Sequence, residues 1–175
     1  MCMSKHIVLV IWTLVLVGPV AAEGPDLGQE IPGNDLARWD ISIQPDGEGL
    51  PEGSGTARTG RGVYQAKCQA CHGQEGKGGP HDVLVGGTGS LASEKPLKTV
   101  GSYWPYATTL YDYIRRAMPY YQPRTLTDTE VYGLTAYLLY LNGIITETTV
   151  IDRDSLPQIK MPNRDNFIPT ADIEN

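Results

Sequence analysis

Two cysteines set two residues apart, with a histidine directly after the second, constrain this chain more than any other stretch: Cys68-Gln69-Ala70-Cys71-His72. A C-x-x-C-H run reads as the attachment site of a c-type haem, and the spacing has a chemical reason. Two thiols on one turn of helix reach the two vinyl groups of a single haem and form thioethers, and the adjacent imidazole then lies under the iron as its proximal ligand. Other uses of these residues fit less well. A structural zinc site takes four ligands, whereas the chain beyond its N-terminal segment adds only His81 and no second Cys/His pair. A redox-active dithiol of the thioredoxin kind wants a βαβ context, and no such pattern surrounds Cys68.

The odd cysteine count, 3 in 175 residues, is explained at the N-terminus. Lys5 and His6 precede an apolar run over residues 7–17, followed by Gly18-Pro19 and Val20-Ala21-Ala22. A basic start, an apolar middle and a small-residue end describe a secretory signal peptide over residues 1–22, cut after Ala22, with the periplasm as destination. The rival is an uncleaved membrane anchor, but the run is shorter than the ~20 residues a spanning helix needs. No membrane span is therefore expected after cleavage. Cys2 leaves with the signal, and Cys68 and Cys71 are consumed as thioethers, so the mature chain should hold neither free thiol nor disulfide. A net charge of −6 gives no reason to expect nucleic acid as a partner.

The rest divides into an arm, a helical domain and a tail. Residues 23–56 form a Gly/Pro-rich N-terminal arm punctuated by turn signals such as Gly24-Pro25, Ile31-Pro32-Gly33 and Pro45-Asp46-Gly47. A short helix fits between Asn34, as N-cap, and Trp39. Trp39, Ile41 and Ile43 are costly to leave in water, so the arm is expected to lie on the domain or on a partner. The domain spans residues 57–143. Its first helix is expected over residues 57–70, with Gly60, Tyr64 and Cys68 on one face and Gly60 allowing a second helix to approach closely. A glycine-rich loop over residues 73–102 follows a helix and lacks the P-loop lysine, so it reads as a wrap around one haem edge rather than a phosphate loop. Pro105 is placed to open the next helix, whose apolar face is Leu110, Tyr113 and Ile114 and whose end is Pro119. The last helix runs from Thr127 to Asn142. Thr127 and Glu130 make a capping box, Val131, Leu134, Leu138 and Leu141 form a stripe that should cross the Gly60/Tyr64 face, and Gly143 stops it. Residues 144–175 lose periodicity and form an extended C-terminal tail, with enough apolar residues to dock at points but not to build a domain.

A c-type haem that only carries electrons needs a second axial ligand. Met118 sits before Pro119, far enough downstream of His72 for the chain to cross the haem. A Met–His pair suits low-spin iron and raises its reduction potential. Met161, also before a proline, is the rival, and His81 is a second one; Met161 lies in the tail, and His81 is close in sequence to His72 and reads more simply as solvent-facing. The region of Pro80 is the candidate source of a backbone carbonyl for the His72 Nδ1–H, a bond that fixes the tautomer and raises the basicity of the ring.

Taken together, the C-x-x-C-H run after a Gly/aromatic helix, the downstream Met118-Pro119 and the terminal aromatic helix resemble a class I cytochrome c. That resemblance implies an all-α fold in which N- and C-terminal helices cross around one covalently bound haem c. A narrower likeness covers most of the mature chain. Trp39-Asp40-Ile41, Gly53-Ser54-Gly55-Thr56, Val100-Gly101-Ser102-Tyr103-Trp104-Pro105-Tyr106-Ala107, Tyr111-Asp112-Tyr113-Ile114-Arg115-Arg116-Ala117-Met118-Pro119, Leu141-Asn142-Gly143 and Met161-Pro162-Asn163-Arg164-Asp165 resemble the cytochrome subunits of periplasmic sulfite and sulfur dehydrogenases of the Sox type. The resemblance implies that Cys68 and Cys71 bind the haem covalently and that His72 and Met118 ligate its iron. It implies that electrons arrive from a molybdenum-containing sulfite or sulfur dehydrogenase subunit and leave to a downstream cytochrome or oxidase. The chain departs from those members that carry two haems, since it has one C-x-x-C-H.

With both axial positions filled there is no place for substrate, so the chain alone is expected to transfer electrons rather than to act as an enzyme. Arg115, Arg116, Tyr120 and Tyr121 flank Met118 and are candidates for a docking patch, with core tyrosines and a solvated arginine pair as the simpler reading. Two other functions stay open at this level: a freely diffusing periplasmic electron shuttle, and a haem enzyme with a labile sixth ligand.

Overall fold

The computed structural model describes residues 28–168. The signal peptide expected over residues 1–22 and the tail beyond residue 168 lie outside the described residues. The chain falls into two compact units, one ending at Trp39 and one beginning at Asp40.

Within the first unit, helix α1 is Gly33–Trp39. Asn34 is not its N-cap. The Asp35 and Leu36 N–H groups both donate to the Pro32 carbonyl, at 2.8 and 3.1 Å, so the helix starts earlier and Asn34 sits inside its first turn. Trp39 is 82% exposed in the isolated chain.

The second unit is helical apart from a two-residue antiparallel ladder. Its elements are β1 (Ser54–Gly55), α2 (Ala57–Lys67), α3 (Gln69–His72), α4 (Ala107–Ala117), α5 (Asp128–Leu141) and β2 (Ile151–Asp152), with four single-turn 3₁₀ segments between and after them. β1 pairs with β2 through Ser54 with Asp152 and Gly55 with Ile151. Among the described residues, no helix is long and apolar enough to cross a membrane.

α2 and α5 are both fixed at their N-termini by capping boxes. Thr56 accepts from the Thr59 N–H and Thr59 accepts in return from the Thr56 N–H. At α5, Thr127 accepts from Glu130 N–H, and the Glu130 carboxylate accepts from Thr127 N–H at 2.8 Å. That backbone bond, first among its causes, holds the Glu130 carboxyl below its ordinary range. Past the other end of α5, Gly143 takes a left-handed φ of 72° and donates its N–H to the Tyr140 carbonyl, as a stop signal should.

The expected crossing of α2 and α5 is present and tighter than the stripe suggested. A Cβ built on Gly60 would lie 1.8 Å from the carbonyl oxygen of Gly133, so the two backbones touch there. Beside this contact the rings of Tyr64 and Tyr137 pack with centroids 5.3 Å apart. α5 is more than a one-sided helix. Every residue over 131–139 is buried, because α2, α4, β1 and β2 all pack against it. Leu141, expected in the stripe, is only half-buried.

α4 begins at Ala107, later than Pro105 suggested. Tyr106 is extended, with φ −134° and ψ 135°, because its backbone bridges to Lys160 in the tail. The buried face of α4 is Ala107, Leu110, Tyr111 and Ile114. Tyr113, expected on that face, is 48% exposed and rests edge-on against Trp104.

Arm and tail are sewn to the helices by specific bonds. Thr108 Oγ1 donates to the Pro45 carbonyl, Tyr132 Oη to the Pro51 carbonyl at 2.9 Å, and Asn163 Nδ2 to the Tyr103 carbonyl at 2.9 Å. The tail docks through three fully buried side chains, Ile151, Leu156 and Met161.

Four tyrosines of this interior resist ionisation. Burial pushes Tyr64 and Tyr132 up to about 12 and raises Tyr111 and Tyr137 as well. In the unfolded chain these phenols lose their protons near their ordinary value of 10.0, while the folded protein keeps them. Their contribution to stability is whole below that value and shrinks as pH rises through the folded values. Denaturant midpoints measured between about pH 9 and 11.5 should fall steadily; a flat profile contradicts the assignment.

Candidate functional site

The expected helix over residues 57–70 is broken. α2 ends at Lys67, Cys68 departs from helical geometry with φ −121° and ψ −34°, and α3 supplies one further turn. The break makes a compact loop around the motif. The Cys68 N–H still donates to the Tyr64 carbonyl at 2.8 Å, and the Cys68 carbonyl accepts from the N–H groups of Cys71 and His72 at 3.1 and 2.9 Å. Both thiols and the imidazole are thereby held on one turn, each half-buried.

Gly73 then reverses the chain with φ 77°, and any Cβ there would lie 1.9 Å from the Lys77 carbonyl oxygen. Tyr64 Oη donates to the Gly73 carbonyl at 2.9 Å, a bond that ties the exit of the motif to the helix crossing. The reversed chain returns along the motif, and His81 N–H donates to the Cys71 carbonyl at 3.0 Å. The His81 side chain itself is exposed.

The next residue supplies the bond expected from the region of Pro80. His72 Nδ1 lies 2.8 Å from the Asp82 carbonyl oxygen. A carbonyl only accepts, so Nδ1 carries the proton and Nε2 keeps its lone pair. The acceptor is therefore the carbonyl of Asp82, two residues past the proline. No side chain marks such a residue, since the group involved is backbone and its position depends on how the loop returns.

Burial pushes the Cys68 thiol up to about 11, with the neighbouring Cys71 adding to the effect and Lys67 opposing it. It stays protonated near neutral pH, which is unlike a reactive or redox-active cysteine. Two thiols on one turn, beside an imidazole whose outer nitrogen is available, are the donor set that a covalently attached haem takes. Among the described residues, no three His, Cys, Asp or Glu side chains converge as an ion-binding cluster.

Met118 lies at the end of α4, its N–H donating to the Ile114 carbonyl at 3.1 Å. It is half-buried, and both Met118 and Cys68 pack against the same apolar core. Met161, by contrast, is 0% exposed and belongs to that core. Tyr120 and Tyr121, beyond Met118, are 74% and 81% exposed, with their rings in a T-shaped pair 5.2 Å apart. They are not core tyrosines. The arginines beside them are engaged rather than solvated: Arg115 pairs with Asp128 at 3.1 Å, and Arg116 pairs with Asp112 at 2.7 Å and donates to the Ile41 carbonyl. Of the proposed patch, only the tyrosines stand out from the surface.

The comparisons agree with this geometry. A family model described as cytochrome C oxidase, cbb3-type, subunit III, matches residues 55–138. Among solved structures the chain is similar to the sulfane dehydrogenase SoxCD from Paracoccus pantotrophus, at 39% identity and a TM-score of 0.79, over 83% of this chain and 72% of that one. A search of curated proteins gave no match. Helix crossing, C-x-x-C-H turn and sequence identity point the same way: the chain belongs to the Sox-like c-type cytochromes, and its fold is that of a class I cytochrome c.

Proposed function

We propose that this protein is a periplasmic cytochrome with one haem c, serving as the electron-accepting subunit of a molybdenum-containing sulfite or sulfur dehydrogenase. The observation that carries the proposal is the 39% identity to the sulfane dehydrogenase SoxCD, which extends over 83% of the chain and so beyond the cytochrome domain alone. Arm and tail are part of that likeness, and a dedicated partner is a reason for a cytochrome to keep them.

When bound, the haem supplies a one-electron couple. Cys68 and Cys71 hold it covalently. His72 presents Nε2 to the iron and is aimed by its bond to the Asp82 carbonyl. Met118, held at the end of α4 against the core, would supply a second protein ligand through its sulfur. With two ligands supplied by the chain, the surrounding residues would serve to exclude water from the haem and to present one edge to a partner. Tyr120 and Tyr121 lie beside Met118 and offer an exposed aromatic contact of the kind favoured at interfaces.

The test is purification from the native periplasm at low salt. The reading expects the cytochrome to co-purify with molybdenum in a fixed ratio, and its haem to be reduced on adding sulfite or a sulfane sulfur compound. A molybdenum-free monomer that exchanges electrons with several unrelated partners would instead identify a diffusing shuttle.

A further inference from the structure

We propose that Asn142 is a positioning residue for His72, acting through the loop that carries the Asp82 carbonyl; the proposal rests on His72 being the iron ligand. Asn142 caps the C-terminal end of α5, sixty residues from the loop in sequence terms and far from any iron ligand in the motif. Its amide makes three hydrogen bonds. Nδ2 donates to the Leu138 carbonyl at 2.9 Å, which anchors it to α5. Nδ2 also donates to the Leu84 carbonyl at 3.2 Å, and Oδ1 accepts from the Gly86 N–H at 3.0 Å, which grips the loop on both sides of Val85. These partners allow one orientation of the amide, because a carbonyl requires a donor and an N–H an acceptor. Asparagine offers both at one end; aspartate offers only acceptors and leucine neither. Gly101 leaves room for the arrangement, since a Cβ there would lie 2.4 Å from Asn142 Oδ1.

The grip matters because Asp82 does not hold itself. It is exposed, and its side chain makes no hydrogen bond among the described residues. Its carbonyl is fixed by its neighbours: upstream by His81 N–H on the Cys71 carbonyl, downstream by the stretch 84–86. In that stretch Leu84 N–H donates to the Gly76 carbonyl, Val100 N–H donates to the Leu84 carbonyl and Thr99 Oγ1 donates to the Gly86 carbonyl, but among the described residues Asn142 alone ties it by hydrogen bonds to a long helix. Releasing Asn142 loosens the acceptor for His72 Nδ1–H. A weaker bond there makes the ring less basic and the ferric iron less favoured.

The experiment uses the haem-loaded protein with Asn142→Leu and the isosteric Asn142→Asp, which keeps an acceptor for Gly86 and is the fallback where the leucine variant does not fold. Two quantities are read: hydrogen exchange of His72 Nδ1–H by NMR in the ferrous state, and the reduction potential. The expectation for Asn142→Leu is exchange faster by about tenfold or more and a several-fold shift of the redox equilibrium toward the ferrous form, with Asn142→Asp between it and the parent protein. Parent-like exchange and potential in both variants would overturn the proposal. So would equal changes in Met161→Ala, a core substitution that removes none of the hydrogen bonds to residues 82–86. If His72 in the parent protein lacks the large shifts that haem imposes on a bound ring, the ligand assignment itself falls, which is a separate result.

Discussion

Gly60→Val is expected to destabilise the domain by about 3 kcal/mol or more, whereas Gly62→Ala, two residues along the same helix, is expected to be neutral or mildly stabilising. The contrast follows from what a side chain meets at each position. At Gly60 the first added carbon would sit 1.8 Å from the Gly133 carbonyl oxygen and 2.2 Å from its carbon, both backbone atoms in the buried stretch of α5. Neither can rotate away, so α2 and α5 must separate, and the Tyr64–Tyr137 contact opens with them. Overpacking of side chains alone costs about 1–3 kcal/mol; a backbone collision lies at or above the top of that range, a large share of the ~5–15 kcal/mol that holds a domain together. At Gly62 nothing lies within 4 Å of an added carbon. Alanine there gains helix propensity of roughly 0.5–1 kcal/mol. Thermal melts of both variants, with haem incorporation as a second readout, make the comparison. Gly133→Ala is the graded intermediate, since its added carbon would lie 3.1 Å from Gly60, a contact that small shifts relieve.

The two methionines before prolines should separate cleanly into a ligand and a core residue. Met161→Ala empties a site that is 0% exposed and is expected to cost about 2–5 kcal/mol. Its oxidised spectrum should nevertheless keep the weak long-wavelength band that a sulfur–iron bond adds. Met118→Ala removes a half-buried side chain and should cost much less stability. It should abolish that band, lower the reduction potential and open the sixth position to added ligands such as imidazole. Denaturation and optical titration on the same preparations settle it. The assignment fails if Met161→Ala loses the band or if Met118→Ala keeps it.

The motif carried most of what was legible beforehand. Cys68, Cys71 and His72 are recognisable because the chemistry needs three side chains at fixed local spacing, and local spacing survives in a linear chain. The capping box at Thr127 and Glu130 and the stop at Gly143 were legible for the same reason, since each involves residues a few positions apart. The close crossing at Gly60 was readable from one side only: the glycine announced that something approaches, but not that Gly133 is what it meets. Misplaced elements share a cause. Pro105 did not open α4 because Tyr106 pairs with Lys160, more than fifty residues away. Tyr111 is buried and Tyr113 is not because the buried arc of α4 is set by where α5 lies. The tail looked non-periodic, yet Ile151, Leu156 and Met161 are buried completely, since single residues in a loop can fill gaps in a core without any repeat to reveal them.

By itself, then, the sequence determined that this is an all-α chain with one C-x-x-C-H site, a capped last helix that crosses the first at a glycine, and a Sox-like cytochrome pattern from arm to tail. Tertiary structure alone decided that the Asp82 carbonyl, rather than one at Pro80, receives the His72 proton, that Asn142 reaches back to grip the loop beside it, and that Met161 is interior while Met118 stays at its edge. The physical reason is range. Side-chain chemistry and helix caps act over a few residues and leave a mark in the order of amino acids, whereas backbone acceptors and core gaps are made by segments far apart in the chain and acquire their partners only when it folds.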